Sequence, residues 1–188
     1  MTTFDRAYFE TLYRRDIDPW QFRASDYERR KYAKTIAALP DVRFEQCLEL
    51  GCSIGELTHR LLSRCRRIVA IDTSLRALEE ARRSCPDTRA DFRQAHLPAG
   101  DLGSDYDLVV ASEILYYLDA AVLRRLAHRL ARIVMPGACI VSVHWTGPTN
   151  YPLTADAATR LCFDEAKIES LRTDIHPEFR LDVGRFSA

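Results

Sequence analysis

A chain of 188 residues, 47% hydrophobic and 29% charged, suits one domain that buries about 70% of its unfolded surface, and this composition excludes a disordered protein. Its 27 basic and 27 acidic side chains cancel, whereas a nucleic-acid or membrane-surface binder carries a basic bias, so neither partner is expected. The six cysteines, at 47, 52, 65, 85, 139 and 162, form no Cys-x-x-Cys pair; they read as small buried hydrophobes, and no metal is expected. No apolar run reaches about 18 residues, and Met1–Glu10 is too charged for a secretory signal, which predicts a cytoplasmic protein without a membrane span.

Residues 1–45 read as a helical cap. Tyr8, Phe9, Leu12 and Tyr13 recur at helical spacing until Asp16-Ile17-Asp18-Pro19-Trp20 breaks the pattern. A second helix then runs from about Ser25 to Leu39 through Tyr27, Tyr32 and Ile36. From Gln46 strands and helices alternate, with strands expected near 46–50, 67–71, 89–93, 106–112 and 138–144. Three helical stripes lie between them. Leu57, Leu61, Leu62 and Cys65 make the first; Leu75, Leu78 and Ala81, ended by Cys85-Pro86, make the second. The longest holds Leu123, Leu126, Leu130, Ile133 and Val134, started by Asp119 as N-cap and stopped by Pro136-Gly137. Beyond Ile168 two short strands, around 170–175 and 179–186, can close the sheet as an antiparallel hairpin. The alternation predicts an α/β fold with a mostly parallel sheet covered by helices on both faces, forming a single domain over 1–188 whose core is 46–188.

The segment richest in chemistry is Cys47-Leu48-Glu49-Leu50-Gly51-Cys52-Ser53-Ile54-Gly55, followed 21 positions after Gly51 by Ile71-Asp72. An apolar strand enters a glycine loop, a helix follows, and a second strand ends in one carboxylate: the layout of a Rossmann-like nucleoside site. Gly51 and Gly55 allow a tight turn and close approach to a ligand. Glu49 can accept from an ammonium, directly or through water. Asp72 offers two acceptor oxygens to vicinal ribose hydroxyls, with Thr73 bounding the adenine side. A dinucleotide fingerprint needs glycine where Ser53 and Glu56 stand, and a Glu56 carboxylate at a helix start opposes a pyrophosphate. The variant Glu-x-Gly-x-Ser-x-Gly at 49–55 points instead to S-adenosylmethionine, which carries no pyrophosphate and escapes this objection. The Tyr-x-x-x-Lys pair of short-chain hydride-transfer enzymes is absent. Taken singly, the glycines can be mere turn residues and Asp72 a helix cap; together, at this spacing, they predict a cofactor site. His96 and Leu97, in the loop after the third strand, are expected beside the adenine, His96 by stacking or accepting and Leu97 through its backbone, although a loop histidine is commonly just solvated.

These residues, with Asp107-Leu108-Val109-Val110-Ala111-Ser112-Glu113, resemble class I S-adenosylmethionine-dependent methyltransferases. The resemblance narrows further. Asp18-Pro19-Trp20, Ser25 with Tyr27-Glu28-Arg29-Arg30-Lys31-Tyr32, Ser112-Glu113 with Tyr116-Tyr117, and His144-Trp145 with Asn150-Tyr151-Pro152-Leu153-Thr154 look like the nodulation protein S family over nearly the whole chain. The glycine loop is specific only to the superfamily. The resemblance implies a seven-stranded class I methyltransferase fold, with Ser112 among the cofactor contacts. It also implies N-methylation of the free amine at the non-reducing end of a deacetylated chitooligosaccharide, in nodulation-factor synthesis.

Methyl transfer is an in-line displacement, so the nucleophile must be desolvated, aligned and, if an amine, deprotonated. Glu113, at the carboxyl end of the fourth strand, stands where a base is expected, or where a purely structural contact would lie. One of Tyr116 and Tyr117 is expected as a wall against substrate or sulfonium and the other as core. His144 can bring a base or be a satisfied structural histidine; Trp145 and Tyr151 suit the apolar face of a sugar ring, or ordinary packing. The cap is expected to close over the cofactor, with Trp20, Tyr27 and Arg30 or Lys31 around its methionine part, unless the cations near 29–34 are a solvated helix face. The Asn/Asp-Pro-Pro-Tyr signature of enzymes methylating amide or base nitrogens is absent after the fourth strand, which argues against DNA adenine or glutamine acceptors. Other readings stay open: an O- or N-methyltransferase with a non-sugar acceptor, a binding module without catalysis, or a nicotinamide enzyme.

Overall fold

Asp5 accepts the Tyr8 N–H at 2.9 Å and opens helix α1 (Arg6–Arg15), and Ser25 accepts the Glu28 N–H at 3.3 Å to open α2 (Asp26–Ala38), so both cap helices start at short polar side chains. The computed structural model describes residues 4–187; Met1–Thr3, at the head of the expected cap, and Ala188 lie outside the described residues. The chain divides between Leu102 and Gly103 into two units.

In the first unit α1 and α2 precede β1 (Phe44–Leu50), α3 (Glu56–Leu61), β2 (Cys65–Asp72), α4 (Leu75–Ser84) and β3 (Ala90–Gln94). The strands lie in the order β3-β2-β1, all parallel, with Leu50 opposite Ile71 and Asp72 opposite Gln94. Cys47, Leu48, Leu50, Ile68 and Ile71 are wholly or almost wholly buried, as a parallel sheet's continuous apolar strands should be. Helix α4 buries Ala77, Leu78 and Ala81, and packs against α1.

One expected stripe is corrected here. Cys65 lies in β2, because α3 ends at Leu61 and the turn through Ser63 and Arg64 returns the chain to the sheet, where the Arg64 carbonyl accepts the Phe44 N–H at 2.8 Å. An apolar residue beginning a strand can fall in phase with the helix before it, so periodicity alone does not separate them.

The second unit holds β4 (Tyr106–Ser112), a 3-10 turn (Leu115–Tyr117), α5 (Ala120–Ile133), β5 (Val134–Trp145), α6 (Ala155–Glu165), β6 (Ile168–Ile175) and β7 (Phe179–Phe186). Its strands lie in the order β4-β5-β7-β6; β4 and β5 are parallel, while β7 runs antiparallel to both β5 and β6. The expected closing hairpin is therefore β6–β7. Asp119 accepts the Val122 N–H at 2.8 Å as the N-cap of α5.

Two features differ from expectation. Helix α5 ends at Ile133, and Pro136-Gly137, expected to stop it, sit inside β5: the pairing steps from Tyr106–Val134 to Leu108–Cys139, so the surplus residues bulge out and Gly137 takes φ +76°. Helix α6 was not anticipated. It is capped by Thr154, which accepts the Ala157 N–H at 3.2 Å, and buries Ala155, Ala158, Thr159, Cys162 and Phe163.

Candidate functional site

The glycine loop closes the first unit's sheet at the carboxyl ends of β1 and β2. Gly51, Ser53 and Gly55 all take left-handed backbone, with φ of +70°, +50° and +83°. A Cβ on Gly55 would stand 3.2 Å from the Ala81 Cβ, so both conformation and space require glycine there. The Ile71 carbonyl accepts the Cys52 N–H at 2.9 Å and ties the loop to β2.

Asp72, the last residue of β2, is clamped by this backbone. The Ser53 N–H donates to Oδ2 and the Ser74 N–H to Oδ1, each at 2.9 Å. Burial pushes the carboxyl up to about 6, against the lowering effect of those N–H groups. A carboxylate has about four acceptor sites, so one oriented in this way retains capacity for a pair of hydroxyls. Thr73 and His96 meet beside it, Oγ1 to Nδ1 at 3.1 Å, and Gln94 donates to the Thr73 carbonyl at 3.0 Å. Leu97 follows, buried.

Glu49 lies deeper, 2% exposed, and accepts the Thr58 hydroxyl at 2.6 Å. Burial pushes its carboxyl up to about 8, so the protonated form dominates at neutral pH and an approaching cation would draw out the ionised one. Glu56, the first residue of α3, pairs with Arg60 at 3.1 Å and Arg23 at 3.6 Å; a carboxylate does occupy the helix start where a pyrophosphate would sit.

The cap residues separate into two groups. Trp20 packs beside Tyr13 and Phe22 against Ile54 of the glycine loop, which brings it to the site. Tyr27 and Arg30 are on α2, with Arg30 exposed. Lys31, expected as an alternative to Arg30 and within a solvated cationic face, is instead 1% exposed, paired with Glu28 at 2.8 Å and held 5.0 Å from the Tyr27 ring centroid. An ammonium removed from water needs such a partner, and this pairing assigns Lys31 to the helix rather than to a ligand carboxylate.

In the second unit Ser112 ends β4, and Glu113 follows with φ +55°, a left-handed conformation that costs a non-glycine residue energy and often marks a functional position. The Glu113 N–H donates to the Val143 carbonyl at 2.8 Å. Its Oε2 accepts the Trp145 N–H at 2.9 Å and the Tyr116 hydroxyl. Burial and the neighbouring Glu113 hold the Tyr116 phenol well above its ordinary value, so it stays protonated and donates. Tyr117 and Tyr151 join through their hydroxyls at 3.2 Å, and the Tyr151 ring lies 4.8 Å from that of Tyr116. The Trp145 indole rests on Gly147, where any side chain would collide with it.

His144 is not placed as a base. It is wholly buried, its Nε2 accepts the Leu115 N–H at 3.1 Å, and Nδ1 meets Ser142 Oγ at 3.2 Å. With its basic nitrogen engaged by a main-chain donor, the ring clamps the 3-10 turn to β5. A structural histidine was the alternative that the sequence left open, without its partners. Tyr13 and Glu10 of α1, which bond Ser53 and the Ser74–Leu75 start of α4, had no local signal, being so far away in the chain.

Among the described residues no three His, Cys, Asp or Glu side chains gather as a metal site, and no helix is long and apolar enough to cross a membrane.

The family model for Nodulation protein S (NodS) matches residues 6–140. Nodulation protein S of Rhizobium tropici is 30% identical over 128 residues, 66% of this chain and 53% of the relative. The chain spans 53–61% of the length of the nodulation protein S relatives it matches. A putative methyltransferase from Pseudomonas syringae is 36% identical, with a TM-score of 0.73 over 85% of this chain and 98% of that one. The N-methyltransferase NodS of Bradyrhizobium japonicum WM9, solved with S-adenosylhomocysteine, is 18% identical with a TM-score of 0.84 over 95% of this chain and 98% of that one. Such a likeness shows the fold, a Rossmann-like α/β arrangement with seven mostly parallel strands. With the family model covering well over half of its residues, the chain belongs to the nodulation protein S family.

Proposed function

We propose that this protein is an S-adenosylmethionine-dependent N-methyltransferase whose acceptor is the free amine at the non-reducing end of a deacetylated chitooligosaccharide. The observation that carries the cofactor reading is Asp72, clamped through both carboxylate oxygens at the end of β2 beside a left-handed loop. The acceptor reading rests on family membership.

When bound, the cofactor supplies an electrophilic methyl group on a sulfonium. Asp72 accepts from the two ribose hydroxyls, and Thr73, His96 and Leu97 border the adenine. Glu49, in its ionised form, balances the ammonium. Trp20 shields the methionine portion from water, strengthening the electrostatics beneath it. In the second unit Glu113 receives the proton that an alkylammonium acceptor must shed before its lone pair can attack. Tyr116 and the Trp145 N–H hold that carboxylate in one orientation, and Ser112 leads the chain into it. Trp145, Tyr117 and Tyr151 offer apolar ring faces to a pyranose. Six free, buried cysteines accord with action in the reducing cytoplasm.

Incubation with labelled cofactor and a chitooligosaccharide N-deacetylated at its terminal unit should add one methyl mass to that unit. Release of S-adenosylhomocysteine with phenols or carboxylates, but never with the amino sugar, would overturn the acceptor. Failure of the chain to bind either S-adenosylmethionine or S-adenosylhomocysteine would overturn the activity.

A further inference from the structure

Three loop positions share left-handed backbone, yet only Gly51 and Gly55 are glycine. Ser53 holds φ +50° with a side chain attached, a conformation an L-residue disfavours relative to glycine. A contact from outside the loop offsets that preference. Tyr13 of α1, 3% exposed, donates its hydroxyl to Ser53 Oγ at 2.5 Å. The next link runs from the Ser53 N–H to Asp72 Oδ2 at 2.9 Å.

Tyr13 is itself well anchored. It packs with Ile54 and Ala77, and the Trp20 ring meets it edge-on at 5.8 Å. On the preceding turn of α1, the Glu10 carboxylate accepts from Ser74 Oγ at 3.2 Å and from the Leu75 N–H at 2.8 Å. Helix α1 therefore grips the loop between β1 and α3 and the start of α4 together, on either side of Asp72.

We infer that Tyr13 is a positioning residue for the cofactor site: through Ser53 it holds Asp72 in the pose that meets the ribose, a task that glycine at position 53 would make unnecessary. The inference rests on the adenosyl reading of the site. It makes a claim that a packing role does not, because the importance of Tyr13 depends on which residue occupies position 53.

The test is a double-mutant cycle read by calorimetric titration with S-adenosylhomocysteine and by amide hydrogen exchange at residue 53 without ligand. Tyr13→Phe keeps the ring and removes one hydrogen bond, so affinity should fall about fivefold to tenfold and Ser53 exchange should quicken by a similar factor. Ser53→Ala deletes the acceptor hydroxyl and should reproduce both changes. In the Ser53→Gly background, Tyr13→Phe should change affinity less than about twofold. Equal losses in both backgrounds, or no loss in a protein that binds the ligand, would overturn the inference. If the wild-type chain binds no S-adenosylhomocysteine, the proposed function fails, and the exchange data alone then decide: an unchanged Ser53 rate in Tyr13→Phe refutes the link.

Discussion

Replacing Glu49 with glutamine should make the protein more stable at neutral pH, and by an amount that grows with pH. The side chain is 2% exposed and burial raises its carboxyl from 4.5 to about 8. A group whose folded value lies above its unfolded one contributes stability that is complete below the unfolded value and lost as pH rises through the folded one. From pH 4.5 towards pH 8 the folded chain thus retains a proton that the unfolded chain has released, and stability falls by about 1.4 kcal/mol per pH unit. Glutamine has no proton to release, and its amide oxygen can still accept the Thr58 hydroxyl, which in the wild type lies at 2.6 Å. Between pH 5 and pH 7.5 the variant should therefore gain about 3 kcal/mol relative to wild type. Urea unfolding of both proteins at the two pH values measures this directly, as the change in the stability difference. A difference that stays constant within about 0.5 kcal/mol would show that Glu49 is already ionised in the fold, and the account of its burial would be wrong.

Removing the Asp72 carboxylate as Asp72→Ala takes away two charge-assisted acceptors, and S-adenosylhomocysteine affinity should fall by about 100-fold in calorimetry; near-normal binding would exclude the ribose role. For Glu113→Gln, which retains an acceptor for Tyr116 and Trp145, kcat should drop by about 100-fold with little change in KM or melting temperature, and a kcat within threefold of wild type would remove Glu113 as the proton acceptor. His144→Ala leaves the Leu115 N–H and Ser142 without a buried partner and opens a cavity, so unfolding free energy should fall by about 3 kcal/mol. A His144→Ala protein of unchanged stability but abolished turnover would restore the histidine as a base.

Much of the fold was legible because its causes are local. The turn chemistry of Ser25 and Asp119 places two helix starts within about a residue. Strand β4 and strand β7 fall at 106–112 and 179–186, as their apolar runs predict. The loop from Gly51 to Gly55 and the carboxylate ending β2 follow from backbone conformation and spacing, which a linear sequence records faithfully.

What escaped the sequence depends on partners far along the chain. His144 has the same residue type whether it serves as a base or a clamp; the Leu115 N–H, 29 positions away, decides between them. Lys31 looks like one more surface cation until Glu28, Tyr27 and Tyr32 enclose it. Neither the bulge that carries Pro136 and Gly137 into β5 nor the Tyr13–Ser53 bond across 40 positions has a periodic signature. The sequence by itself determined most of the strands and helices and the glycine loop, because steric and solvation preferences act within a few residues, although helix α6 and the bulge in β5 lay outside its reach. Only the tertiary structure decided which polar side chains are consumed holding that framework and which are left to meet a ligand, because burial and hydrogen bonding are set by neighbours that folding alone brings together.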